Sequence, residues 1–162
     1  MAVTDLKSLY VHTLRDIYYA EKQILKALPK MAKKADSDTL RASFQQHHEE
    51  TKVQVERLEQ VFELLGEKAR GKKCAAIEGI IEEATEMMSE IEDPDTRDAA
   101  MISAAQAVEH YEITRYGTLV SWGKLLALPA ATKILDKTLQ EEWATDQKLT
   151  KLAESRLNKE AA

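Results

Sequence analysis

The chain of 162 residues is 44% hydrophobic and 31% charged, with five Gly, three Pro and a single Cys. That length suits one domain spanning 1–162 around one core, and a lone cysteine excludes an intramolecular disulfide framework and fits a reducing compartment. A net charge of −5, with acids and bases interleaved, lacks the basic surplus that nucleic-acid binding calls for. No apolar run approaches the ~18 residues of a membrane span, and no signal-peptide core follows the first charges. The expectation is a soluble, cytoplasmic, nearly all-helical protein with neither nucleic acid nor membrane as partner.

Breakers cut the chain into helical blocks rich in Ala, Leu, Glu, Lys and Gln, all strong helix formers. The first helix is expected over 5–34, ending where Ala35, Asp36, Ser37 and Asp38 favour a turn and a new N-cap. The second covers 39–65 and stops at Gly66, a residue suited to the position just past a helix end. A basic loop through Lys68, Arg70, Lys72 and Lys73 leads to a shorter helix over 75–91. Asp93 and Pro94 read as the N-cap and first residue of a third long helix over 94–126, and Pro129 opens the fourth, over 129–158. Helices of roughly 27–32 residues span about 40–48 Å. The tight links at 35–38 and 127–129 force antiparallel neighbours. The stretch 66–94 is long enough to travel the bundle's length, so the second and third long helices can run parallel. An all-α four-helix bundle with one long crossover containing an extra short helix is the ferritin-like arrangement. An ordinary helical bundle shares the same periodicity.

Helical spacing picks out the inward stripe of each long helix. The first reads Tyr10, Leu14, Ile17, Glu21, Ile24, Leu28 and Met31. On the second, Leu40, Phe44, His47, Glu50, Gln54, Leu58, Val61 and Leu65 place polar groups at the centre. The third carries Ile102, Ala105, Glu109, Glu112, Tyr116 and Leu119, and the fourth Leu128, Ala131, Leu135, Glu142, Asp146, Leu149 and Leu152. Every long helix therefore interrupts its core face at about the same height. Buried carboxylates without compensation cost many kcal/mol or become protonated, and several at one level repel one another. Cations compensate most economically, and an oxygen-rich site with imidazole suits iron or manganese. Glu21, His47, Glu50, Glu109, Glu112, Glu142 and Asp146 are the candidate ligands, and two ions sharing carboxylates would neutralise them. For Asp146 the alternative is a role in orienting another ligand, and for His47 it is satisfaction by a neighbouring carbonyl or carboxylate.

An internal repeat accompanies the stripes. Glu21 precedes Glu50 by 29 residues and Glu112 precedes Glu142 by 30, as if one helical hairpin occurred twice. Around these acids, Tyr18, Tyr19, Tyr111 and Tyr116 are read as core aromatics whose hydroxyls reach a partner. Met87, Met88, Trp122 and Trp143 are read as packing, and Lys52, Arg57 and Lys148 as a solvated face with helical ion pairs. His48 and His110 lie one position off the stripes and are expected to be exposed or to support a ligand. Cys74 carries no signal.

At these residues the sequence resembles the YciE/YciF family of ferritin-like proteins. The resemblance is carried by LRDIYYAEKQ at 14–23, HHEET at 47–51, QVERLE at 54–59, AAQAVEHYE at 104–112, YGTL at 116–119 and TLQEE at 138–142 through to Asp146. It implies a ferritin-like bundle, a bacterial stress setting, homodimers and a di-metal centre in the core, but supplies no substrate. Di-iron carboxylate bundles usually carry Glu-x-x-His on two helices, whereas here Val53 follows Glu50 by three and Thr145 follows Glu142 by three. His47, one turn before Glu50, is the available imidazole. Two functions stay open: a di-metal protein acting on ferrous ion, peroxide or dioxygen, with oxidase or peroxidase chemistry, and a non-catalytic stress or interaction bundle that has lost the metal. A storage cage is set aside, since no cage-building helix is expected after the fourth.

Overall fold

The computed structural model describes residues 3–162, and among them every regular element is helical. Helix α1 spans Leu6–Lys34, α2 Asp38–Leu64, α3 Ala75–Glu90, α4 Pro94–Leu125 and α5 Pro129–Leu152. A π-helical turn over Ala153–Leu157 and a short α6, Asn158–Glu160, complete the chain. The fourth long helix thus leaves regular α geometry at 153, short of the expected 158, although the backbone stays helical. No helix is long and apolar enough to cross a membrane among these residues.

Local chemistry explains the ends. Asp5 Oδ1 accepts from Ser8 N at 2.7 Å while Ser8 Oγ accepts from Asp5 N at 3.1 Å, a reciprocal cap that satisfies two orphan donors of α1. The side chains of Ser37 and Asp93 cap α2 and α4 in one direction only, Ser37 accepting from Leu40 N and Asp93 from Thr96 N at 2.8 Å. Gly66 sits at φ +66°, where a side chain would be strained, and Glu67 N closes back on Phe62 O at 2.9 Å.

The link between α1 and α2 is pinned from a distance. Asp98, 1% exposed in the first turns of α4, accepts from Asp36 N at 2.9 Å and Ser37 N at 2.7 Å. The end of α1 therefore meets the start of α4, and these helices run antiparallel. Further along the same interface Tyr116 donates to Glu21 and Tyr111 to Asp16. Between α2 and α5, Lys148 reaches Gln46, Gln54 reaches Glu142 and Arg57 reaches Glu141, again an antiparallel pairing. With α1–α2 and α4–α5 joined by short links, packing closes a ring of α1, α2, α5 and α4, in which α2 and α4 point the same way. Helix α3 lies against α1 and α4.

Inside the ring, apolar layers flank a polar one. Leu14, Ile17, Leu58, Val61, Leu119 and Leu135 fill one end, and Ile24, Leu28, Leu40, Phe44, Ile102 and Leu149 the other. Full burial of such side chains is worth about 1.5–3 kcal/mol each. Those two layers stabilise the fold, and they hold between them a set of polar groups that burial alone disfavours.

Candidate metal centre

The polar layer is assembled from one to three residues of each long helix. On α1 the buried row Tyr10, Leu14, Ile17, Glu21, Ile24, Leu28 and Met31 alternates steps of four and three, which keeps one seam facing inward. Glu21 falls in the middle of that row and is fully buried. The same alternation delivers His47, Thr51 and Gln54 from α2, Glu109 and Glu112 from α4, and Glu142 from α5, all at most 5% exposed.

Of these, His47, Glu109, Glu112 and Glu142 each place a ligand atom within 4.8 Å of the others. Two ligands each about 2.0–2.6 Å from one cation lie no more than about 5 Å apart, so this grouping has the dimensions of a metal site. Nε2 of His47 lies 3.1 Å from Glu109 Oε1 without the alignment of a hydrogen bond. Tyr116 donates to one oxygen of Glu21, and Gln54 donates to one oxygen of Glu142. Beyond these, Glu21 Oε2, Glu109 Oε2, both oxygens of Glu112, Glu142 Oε2 and both nitrogens of His47 are buried with no hydrogen-bond partner among the described residues. Native interiors hold few such atoms. Here they converge on one place.

Charge sharpens the point. At 4 Å and an effective dielectric of 20, two unit charges interact by about 4 kcal/mol. Four carboxylates make more repelling pairs than a single imidazolium can offset, so protons or cations must enter. Burial pushes the Glu21 carboxyl up to about 7, against the hydrogen bond from Tyr116. Burial, then the charge of Glu21, holds Glu112 well above the usual carboxylate range, and burial with Glu109 does the same to Glu142. For His47 burial opposes the charged ring, but the surrounding carboxylates, Glu109 first, outweigh it and hold the imidazole well above its ordinary value. Oxygen donors with one imidazole suit iron or manganese better than the thiolate-loving metals. The residues present fit such an ion.

The remaining candidates stand at the margin. Glu50 has a side chain 34% exposed, lies 3.8 Å from Nδ1 of His47, and accepts from Gln46 at 2.8 Å. Contact with His47 keeps its carboxyl below the ordinary value. Asp146 is buried but accepts from Gln106 at 3.0 Å and lies 3.2 Å from His110 Nε2. His110 is therefore exposed and also supports an acid of the inward row, and His48 rests on Glu49 at the surface.

All four flanking tyrosines reach carboxylates: Tyr18 to Glu59, Tyr19 to Glu78, Tyr111 to Asp16 and Tyr116 to Glu21. Arg57 pairs across to Glu141 on α5 rather than along its own helix, at 2.5 and 2.8 Å. Trp143, expected to pack, is 46% exposed instead, because it falls one position past the buried row through Glu142. Gln54 belongs to the site although the candidate set omits it. Its signal was an amide in an otherwise buried row.

Comparison with known proteins places the chain. Residues 5–162 match the DUF892 family, described as a domain of unknown function, and the chain belongs to that family. It is 46% identical to the protein YciF of Escherichia coli over 162 residues, covering 99% of this chain and 98% of that one. The crystal structure of the E. coli stress protein YciF superposes with a TM-score of 0.93 over 97% of this chain and 99% of that one. The YcfI protein of Rhodopseudomonas palustris, 49% identical, aligns with a TM-score of 0.90 over 91% of this chain and 94% of that one. A Xanthomonas campestris protein of 23% identity, covering 93% of this chain and 91% of its own, shares the fold at a TM-score of 0.73.

Proposed function

We propose that this DUF892-family chain is a ferritin-like four-helix bundle, with α3 carried in one long crossover, that holds two iron or manganese ions in a stress-response role. The closed packing of α1, α2, α5 and α4, and the shared direction of α2 and α4, support the fold reading. One observation carries the function: five carboxylate oxygens and both nitrogens of His47 are buried together without partners. His47, Glu109, Glu112 and Glu142 would hold metal, with Glu21 and Glu50 as the adjoining carboxylates for a second ion. Bound iron or manganese would supply electron transfer, with ferrous ion, peroxide or dioxygen as reactant.

The protein's own residues prepare that chemistry. Tyr116 and Gln54 fix the orientation of Glu21 and Glu142 through one oxygen each and leave the other available. Gln106 and His110 do the same for Asp146 from outside the cluster. The apolar layers above and below keep bulk water from screening the carboxylates. A homodimer is part of the proposal, and the shallow depression between α4 and α5, where Trp122, Leu139 and Trp143 lie among Thr114, Thr118 and Ser121, supports it as a face available to a second copy.

Elemental analysis of protein purified without chelators, paired with thermal melting, tests the reading. The expected content is about two ions per chain. Metal at a hundred times its Kd stabilises the native state by about 2.7 kcal/mol, a rise of roughly 5–10 °C for a chain of this size. Absence of bound metal together with melting that ignores both metal and chelator would overturn it. One observation favours the second reading, a non-catalytic stress or interaction bundle: Gln54 and Tyr116 already donate to two of the acids. That reading predicts the indifferent outcome.

A further inference from the structure

Beside the cluster lies a cavity of about 480 Å³ that extends well past the candidate ligands. Its walls are apolar, built by Ile24, Leu28 and Met31 of α1, Phe44 of α2, and Ile81 and Met88 of α3. The inner end stops at His47 and Glu109, each at most 5% exposed and each with a buried polar atom left without a partner. The outer rim carries Lys26, Lys30 and Lys34, one per turn of α1. All three are exposed, and among the described residues none is paired with a carboxylate. Across the opening, α3 presents Thr85 and Ser89, which are polar and uncharged.

Small-molecule sites are mostly apolar concavities of roughly 300–1,000 Å³ with a few placed polar groups, and this cavity has that make-up. Its outer rim and its inner floor differ in sign. Unpaired cations at the rim attract an anionic head, while the acids behind His47 repel one. We propose that the cavity binds a free single-chain fatty carboxylate, its head among Lys26, Lys30 and Lys34 and its tail directed inward toward His47 and Glu109. Burial of the chain, at about 25 cal/mol per Å², supplies most of the affinity. Exposed lysines add little at physiological salt but decide which head is accepted. The site stands on the cavity and its rim, and needs no bound metal.

Titration calorimetry on the full chain, with and without manganese and below the micelle threshold of each probe, tests this. Dodecanoate, dodecanol and dodecyltrimethylammonium share a tail and differ in head. Dodecanoate is expected to saturate one site per chain in both metal states, and to bind about tenfold or more tighter than the cationic probe. The surface triple variant Lys26→Glu, Lys30→Glu, Lys34→Glu is expected to lose about tenfold for dodecanoate and to keep dodecanol unchanged. Ala84→Trp, which fills the cavity from α3, is expected to abolish binding of both. Equal binding of the cationic probe, unaltered binding by the triple variant or by Ala84→Trp, or no saturable binding of dodecanoate in either metal state overturns the proposal. Because the metal-free arm is included, failure of metal binding does not count against it.

Discussion

Glu50 and Glu142 occupy matching places in the two helical hairpins, 29 and 30 residues after Glu21 and Glu112, yet their surroundings differ. Glu142 is fully buried, takes a hydrogen bond from Gln54 on one oxygen and leaves the other orphaned in the cluster. The Glu50 side chain is 34% exposed, accepts from Gln46, and touches the site only through His47 at 3.8 Å. One position, about 100° about the helix axis, separates Glu50 from the buried row of its helix, whereas Glu142 lies in the row of its own. The repeat therefore specifies where acids occur along the helices, while the register of each buried row specifies which acids are desolvated. Desolvated acids are the ones that need a proton or a cation.

The sharpest break of this comparison is to remove Glu142. Changing a residue that only orients a ligand typically costs 10–100-fold in metal affinity. Glu142→Ala is therefore expected to weaken manganese or iron binding by about 100-fold or more, read by competition against a chelator of known affinity. Binding that survives intact would move the site away from α5.

The two layers that flank the cluster were legible in the sequence because α1 and α4 keep strict helical rows. On α2 the legible signal was misread. The buried row is Leu40, Phe44, His47, Thr51, Gln54, Leu58 and Val61, in alternating steps of four and three, and it passes through Thr51, not Glu50. Thr51 spends its hydroxyl on the carbonyl of His47 at 2.8 Å, so a small polar residue fits the seam where a carboxylate would have added charge. The partner choices were not legible. That Asp146 turns to Gln106 and His110, and Glu21 to Tyr116, depends on helix pairings set by the whole fold. The cavity under α3 is likewise a product of packing, since the apolar row Ile77, Ile81, Ala84 and Met88 calls for a cover without saying whether the bundle or a second chain supplies it.

Stability should respond in the opposite direction to affinity. Glu112 is fully buried with neither oxygen partnered, so its presence disfavours the metal-free fold. Replacing buried ionic groups by well-packed apolar ones is often neutral or stabilising by about 1–4 kcal/mol. Glu112→Leu is expected to raise the metal-free melting temperature while erasing the rise that metal produces. A marked loss of metal-free stability would show that Glu112 is held by interactions other than a cation.

The metal-free protein should also lose stability as pH rises. Burial lifts Glu21 from 4.5 to about 7 and holds Glu112 and Glu142 well above 4.5. In this window the native state binds more protons than the unfolded chain, so the slope of unfolding free energy against pH is negative. His47, also raised, contributes in the same sense. The contribution is full below about pH 4.5 and is lost through pH 7 and above. Metal must displace these protons, so its affinity should climb over the same range. Denaturant midpoints between pH 5 and pH 8, with chelator and with manganese, separate the two trends, and a metal-free midpoint that rises with pH would contradict the buried-acid picture.

The smallest effect is expected at Glu50. Its carboxylate is partly solvated and held below its ordinary value by His47, so it enters folding charged and without strain. Partly exposed ion pairs contribute about 1 kcal/mol or less. Glu50→Gln keeps the shape and the contact with Gln46, and should change metal-free stability by less than about 1 kcal/mol and affinity for the first ion by less than about tenfold. The second ion, for which Glu50 is an adjoining carboxylate, should suffer more. Titration of Glu50→Gln would then show one tight ion per chain and a weakened second one. If both ions weaken together by as much as in Glu142→Ala, the two acids act as equals despite their different burial, and desolvation is not what selects a ligand in this bundle.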